Sequence, residues 1–383
     1  MEFGWSDSDV RYRERVRQVL KEGLPENWDE IAQHGPGSRQ QTEFSKVFCK
    51  TLSEQGLLIP HWPKAYGGLD EKPWEHFILG EELWAAGEPR GPQYMNVNWI
   101  GQVLMRYATP AQQAKYLPPI VEGSVTWCQG FSEPSAGSDL ASLQTKAEKV
   151  EGGYKVNGAK IWTSYAGLAD YCFLLARTAA SKQGIVILLV PMDAKGIQVK
   201  EISALIGEGD IHEVFFTDVF VPESERLGAE GQAWEIISYA LQNERIGIPR
   251  YAFARRILDN AISRLQAEGR FDDPVVQDHA GRALAKCEAA KMMVYFVVDE
   301  RAKQRPASAF GNLARWAVIR ADHAVADFLA EYVPEGLLGE DPLQLAHHQR
   351  AIASGIASGA AEIQLNLAAR RYLELPSEKS RGL

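Results

Sequence analysis

Apolar residues fall at helical spacing near the start of the chain. Phe44, Val47, Phe48 and Leu52, then Leu57 and Leu58, follow such a period, interrupted at Gly56. Residues 60–68 are rich in Pro and Gly and read as a loop. Further helical runs cover 75–86 and 97–107, and Thr109-Pro110 has the form of a helix start, with Pro tolerated in the first turn. Near Val125 the pattern changes to short β-branched and aromatic runs at 154–156, 171–176, 185–190, 197–199, 214–216 and 219–221. Turn residues such as Glu151-Gly-Gly153 and Asn157-Gly158 separate them. Strands this short and closely spaced predict a small β-sandwich or barrel. After Pro222 the helical period returns, predicting four long helices at 232–266, 274–304, 307–332 and 348–373, with a polar tail after Pro376.

At 383 residues the chain is long enough for two or three packed units. A composition 45% hydrophobic and 24% charged is that of an ordinary globular protein. No stretch approaches the roughly 20 apolar residues that span a bilayer, and the first residues carry no basic-then-apolar run, so neither a membrane span nor a signal peptide is expected. Cys49, Cys128, Cys172 and Cys287 are widely separated, which fits reduced thiols in a cytoplasmic protein. A net charge of −9 argues against nucleic acid as a partner. The histidines lack metal-ligand spacing, and no G-x-S-x-G elbow occurs, so neither a metal centre nor a serine-hydrolase site is expected.

Two segments carry candidate chemistry. In 127–139, Gly137 and Ser138 offer backbone amides and a hydroxyl at a point of close approach, as anion-binding nests do. In 161–170, Trp162 followed by Thr163 and Ser164 can flank a flat ring and donate to its edge. Each taken alone also fits an ordinary loop or a core tryptophan.

Ser132-Glu-Pro-Ser-Ala-Gly-Ser-Asp139 followed by Lys160-Ile-Trp-Thr-Ser164 resembles the flavin-binding signature of the acyl-CoA dehydrogenase family. Further matches run through 62–68, 216–222, 243–245 and 361–366, spanning nearly the whole chain. The fold so implied is α+β and mainly α: an N-terminal helical domain over 1–125, a central β-barrel or sandwich over 126–228, and a C-terminal four-helix bundle over 229–383. FAD is the implied cofactor. The backbone of Phe131 and the side chain of Ser132 would face the flavin, Gly137 and Ser138 would meet pyrophosphate or CoA, Trp162 would pack on the ring, and Thr163 and Ser164 would lie at its edge, with Ser164 near N5.

The implied reaction is α,β-dehydrogenation of an acyl-CoA thioester, with a carboxylate removing the α proton and hydride passing to flavin N5. Many members carry that glutamate near the C-terminus, where this chain has Ser358, which lacks the basicity. A second branch, similar to isovaleryl- and long-chain-type enzymes, places it before an arginine on the first bundle helix, and Glu244-Arg245 stands there. Glu244 is then the implied base, with Arg245 and, eleven residues on, Arg256 facing the CoA. Asn243-Glu-Arg245 and Ala169-Asp-Tyr171 are similar to a bacterial branch acting on steroid side-chain CoA esters.

Two family features are missing. Glu268 stands where an arginine would reach a neighbouring subunit's FAD, with Arg270 as a displaced substitute, and Pro334 and Glu335 replace glycines in the turn that would receive its adenine end. Because both losses serve a neighbour's cofactor, a homologous partner subunit in an α2β2 assembly is expected, with a homo-oligomer as the alternative. The family also implies an electron-transfer flavoprotein as acceptor. Competing readings are a flavin monooxygenase or oxidase of the same fold and a non-catalytic subunit of a heteromeric dehydrogenase.

Overall fold

The structure, a computed structural model, describes residues 4–35, 37–206, 211–245, 249–306, 308–357 and 359–376, without the side chains of 242–245. The chain opens with helices α1 (Asp7–Gly23), α2 (Trp28–Ala32), α3 (Arg39–Glu54) and α4 (Pro73–Ala85). Helix α5 (Gln93–Met95) runs through a π turn (Asn96–Ile100) into α6 (Gly101–Tyr107), and α7 is Pro110–Val121. The strands are β1 (Trp127–Gly130), β2 (Lys146–Val150), β3 (Gly153–Ser164), β4 (Tyr171–Arg177), β5 (Ile185–Pro191), β6 (Ile197–Glu201), β7 (Ile211–Pro222) and β8 (Arg226–Leu227). Helices α8 (Ala233–Arg245), α9 (Tyr251–Ala267), α10 (Pro274–Ala302), α11 (Phe310–Tyr332), α12 (Pro342–Ser354) and α13 (Ala361–Tyr372) follow.

Local chemistry accounts for many of the ends. Thr109 caps α7 in a reciprocal box with Gln112, with Pro110 in the first turn, as its sequence predicts. Ser6 and Asp9 do the same for α1, and Asp273 caps α10 ahead of Pro274. Two of the four expected long helices are instead broken. The run at 232–266 is α8 and α9, with Pro249 between them: it has no N–H to donate, and it disfavours helical geometry in the residue before it. The run at 348–373 divides into α12, which begins earlier at Pro342, and α13, with Gly355 and Gly359 in the gap, the latter at φ +88°.

The chain forms two compact units. One comprises His34–Leu69 and Pro89–Glu244. Its sheet has the order β6-β7-β3-β2-β4-β5-β8, with β1 pairing β4 in parallel. β1 and β2 share one edge of β4: β1 takes Tyr171 to Leu174, and β2 meets it only where Lys146 pairs with Arg177. The two halves so joined enclose a core of Cys128, Tyr154, Val156, Cys172, Leu174, Leu188, Val190, Val214, Phe216 and Val221. This is the β-sandwich or barrel expected from the strand spacing.

The other unit comprises Met1–Gln33, Asp70–Glu88 and Arg245–Leu383. Helices α9, α10 and α11 pack on one another, α4 lies on α9 and α10, and α12 and α13 flank α11. Glu81 of α4 accepts hydrogen bonds there from Arg13, Tyr251 and Tyr295, satisfying a buried carboxylate. All four cysteines are free and buried, and no described helix is long and apolar enough to cross a membrane.

Candidate active site

The flavin-signature segments meet in the unit that carries the sheet. Strand β3 runs antiparallel to β7, but its register shifts after Lys160↔Val214 and resumes at Thr163↔His212. Ile161 and Trp162 therefore stand opposite the single residue Glu213, a bulge of the kind that re-aims a side chain. Trp162 adopts φ +59°, a left-handed conformation that costs a bulky residue about 1–3 kcal/mol. The result is an indole 57% exposed in a strand whose other large apolar side chains are largely covered. Ser164, two residues on and so on the same face, is half-buried.

Thr163 points to the opposite face. It is buried, its hydroxyl has no hydrogen-bond partner, and its carbonyl accepts from His212 Nδ1 at 3.3 Å. Because a carbonyl can only accept, Nδ1 carries the imidazole proton. Burial lowers the pKa of His212 below the usual histidine range, so the ring is neutral. Only the backbone of Thr163 is left to border a ligand on the Trp162 side.

Residues 131–133 are tied to 160–161 bond by bond. Ile161 N–H donates to the Ser132 carbonyl (2.9 Å), and Lys160 Nζ donates to the Phe131 carbonyl (3.2 Å) and to Glu133 Oε1 (2.7 Å). The N–H of Phe131 bonds the Gln129 carbonyl, so both of its backbone groups are engaged within the chain, and its ring packs against Trp99 and Phe173. Glu133 also accepts from the amides of Gln144 and Thr145. Burial by itself would raise the Glu133 pKa, but the Lys160 charge and these hydrogen bonds hold it below the usual carboxylate range. Burial lowers the pKa of Lys160 in spite of its partner. Beyond a two-residue turn closed by Glu133 and Ala136, Gly137 and Ser138 are exposed, and a Cβ on Gly137 would meet nothing within 4 Å. An exposed indole, a hydroxyl on the same face and an open glycine-serine edge fit a flat ring with an anionic tail.

Helix α8 belongs to the same unit up to Glu244, and buries Ala233, Ile236, Ile237 and Ala240. It is held to α6 by Tyr107, which donates to Glu235 at 3.0 Å, and by Arg106 over the Tyr239 ring at 4.6 Å. Glu244 and Arg245 are its last two residues; their side chains, like Gly247 and Ser358 entirely, lie outside the described residues. Arg256 sits on α9, beyond the break, and pairs with Asp29 at 2.6 Å, so it does not continue the helical face of Arg245. In the bundle unit Arg270 is no free substitute for the missing arginine, since it bonds Glu268 and the Tyr332 carbonyl.

Sequence reading passed over Lys160, Glu133 and His212. The signal available was a lysine at an inward position of an alternating strand, paired with the glutamate of Ser-Glu-Pro.

Family models for the N-terminal, middle and C-terminal domains of acyl-CoA dehydrogenases match residues 6–124, 128–219 and 231–373. Acyl-CoA dehydrogenase IpdE1 of Mycobacterium tuberculosis is 30% identical over 96% of this chain and 98% of its own length. Acyl-CoA dehydrogenase FadE34 of the same organism is 32% identical over 85% of this chain, which spans about half of that longer protein (45%). Among solved structures, the Tcur3481-Tcur3483 steroid ACAD superposes with a TM-score of 0.90 at 27% identity, covering 99% of this chain and 100% of that one. The ChsE4-ChsE5 complex from Mycobacterium tuberculosis gives 0.87 at 25% identity, covering 98% and 100%. With all three domain models matched in order along one chain of the corresponding fold, the protein belongs to the acyl-CoA dehydrogenase family.

Proposed function

We propose that this chain is an FAD-dependent acyl-CoA dehydrogenase in which Glu244 removes the α proton of the thioester. The observation that carries the reading is that one compact unit holds both the Trp162–Ser164 edge and helix α8 as far as Glu244. In sequence, position 244 lies four residues after Ala240 and seven after Ile237, both of which α8 buries. When bound, FAD supplies the acceptor for the hydride leaving the β carbon. The chain's own part is to hold and to deprotonate. Trp162 would cover the flavin ring, Ser164 would donate to its edge, Gly137 and Ser138 would receive the pyrophosphate or CoA, and Ser132 would line the approach. Arg245 steadies charge beside the base, and Arg256 reaches CoA only by leaving Asp29.

The division 1–125, 126–228 and 229–383 is part of this reading. A bulky steroid side-chain CoA ester is the proposed substrate and a homologous second subunit the proposed partner, supported by the steroid ACAD and the two-protein ChsE4-ChsE5 complex among the similar structures. An electron-transfer flavoprotein as acceptor and a cytoplasmic location complete the proposal; the free thiols suit a reducing compartment.

Glu244→Gln tests the assignment. Anaerobic bleaching of the flavin by a panel of CoA thioesters is expected to slow by about 10²–10⁴-fold, as for loss of an essential base, with thioester binding retained. Bleaching at the unmodified rate would remove Glu244 from the mechanism.

A further inference from the structure

We infer that Glu133 and Lys160 are positioning residues: their buried ion pair clamps the 131–133 segment to the start of the β3 bulge and so fixes the Trp162–Ser164 edge against the flavin. The inference rests on the flavin site proposed above. Side-chain exposure is 4% for Glu133 and 0% for Lys160. A pair this dry is not a source of stability over apolar packing, because taking both charges out of water offsets their attraction. What the pair does provide is geometry.

Lys160 is the last residue in register before the bulge, and its ammonium binds two residues of the facing segment, the Phe131 carbonyl and the Glu133 carboxylate. The next residue, Ile161, binds the Ser132 carbonyl between them. Glu133 passes the constraint to a third segment through the amides of Gln144 and Thr145. On the far side of the bulge His212 holds the Thr163 carbonyl, and a Cβ on Gly167 would lie 2.7 Å from its ring, so only glycine admits the imidazole there. Trp162, strained at φ +59°, is thus fixed on both sides, as a conformation of this kind requires to persist. Releasing Lys160 lets the bulge relax, and the indole and the Ser164 hydroxyl then lose their fixed orientation.

The test uses the FAD-loaded enzyme in the assembly in which the unmodified chain purifies. Lys160→Met is expected to weaken FAD affinity by about tenfold or more and to shift the flavin midpoint potential and visible band, while Lys160→Arg, which keeps the charge, restores most of both. If Lys160→Met does not fold, Glu133→Asp decides: it keeps both charges but is too short to serve the amides and the ammonium together, so a smaller shift in the same direction is expected. A folded Lys160→Met, or in its absence a folded Glu133→Asp, with unmodified affinity, potential and spectrum overturns the clamp. Ser164→Ala and Trp162→Ala separate the two readings. If they move the spectrum and the clamp variants do not, the clamp alone fails; if none of them does, the flavin site itself is misplaced and the clamp falls with it.

Discussion

His347 is buried in the bundle unit beside Asp322 and the Phe253 ring, and its Nε2 has no hydrogen-bond partner. Burial lowers its pKa to about 4, despite the opposing pull of Asp322. The unfolded chain takes up this proton near the ordinary histidine pKa of about 6.5, so between these values the unfolded state binds more protons and stability rises with pH. The contribution is whole above about pH 6.5 and falls by on the order of 3 kcal/mol as pH drops toward 4. Thermal melts at pH 7 and pH 5 should separate the unmodified chain, which loses stability, from His347→Gln, which loses less; equal losses would remove His347 as the cause. The same scale shows what sequence could and could not disclose. Trp162 and Ser164 were marked as candidates by their pairing with the Ser132–Asp139 segment, since a tryptophan beside hydroxyls in a strand fits the core equally well. Lys160 was not: a lysine in a strand reads as solvated until the register with Phe131 to Glu133 is known, and that register is set by partners distant in sequence.

Among the elements, the segment Trp62 to Gly68 reads as a loop and proves to be a closed knot of backbone. Gly68 N–H bonds the Pro63 carbonyl, Leu69 N–H bonds that of Pro60, and a Cβ on Gly68 would sit 1.9 Å from the Trp62 carbonyl oxygen. The Trp62 ring is wholly buried, its Nε1 donates to the Val97 carbonyl at 2.9 Å, and it lies over Gly101 at the start of α6. A Cβ at Gly101 would approach that wholly buried ring to 2.0 Å. Gly101→Ala should therefore destabilise the folded chain by about 1–3 kcal/mol, the range for overpacking, read as a lower denaturant midpoint with an unchanged slope. An unchanged midpoint would show that the turn opens freely. Helical period finds apolar faces but not their interruptions, and for that reason it predicts one helix at 232–266 where the chain has two. Pro249 was visible, yet whether a proline kinks a helix or ends it depends on what the next turn packs against, and Tyr251 and Ala254 of α9 are buried in the other unit.

At the level of the whole molecule, a closed charge network bears on assembly. Glu268 is paired with both Arg264 and Arg270, and Arg264 reaches Glu340 at 3.1 Å. Both arginines are thus paired with carboxylates of their own chain, in the region that the family resemblance implies would serve a neighbour's pyrophosphate. Co-expression with the homologous subunit should yield one flavin for every two chains, counted by absorbance after protein quantitation. A stable homotetramer of this chain alone with a flavin in every subunit would refute the heteromeric reading. The order of α, β and α blocks was plain from the strand and helix patterns, whereas the partition into units was not, because nothing local marks α1 and α4 as companions of α9 and α10.

That partition governs how the polypeptide can mature on the ribosome. The sheet-bearing unit is complete once residue 244 has emerged, but α1 and α4, made before it, have no bundle to join until α9, α10 and α11 are synthesised. The face of α4 that packs on α9 and α10 waits uncovered during that interval. Chaperone demand should therefore fall on α1 and α4 and persist until α9, α10 and α11 have been made.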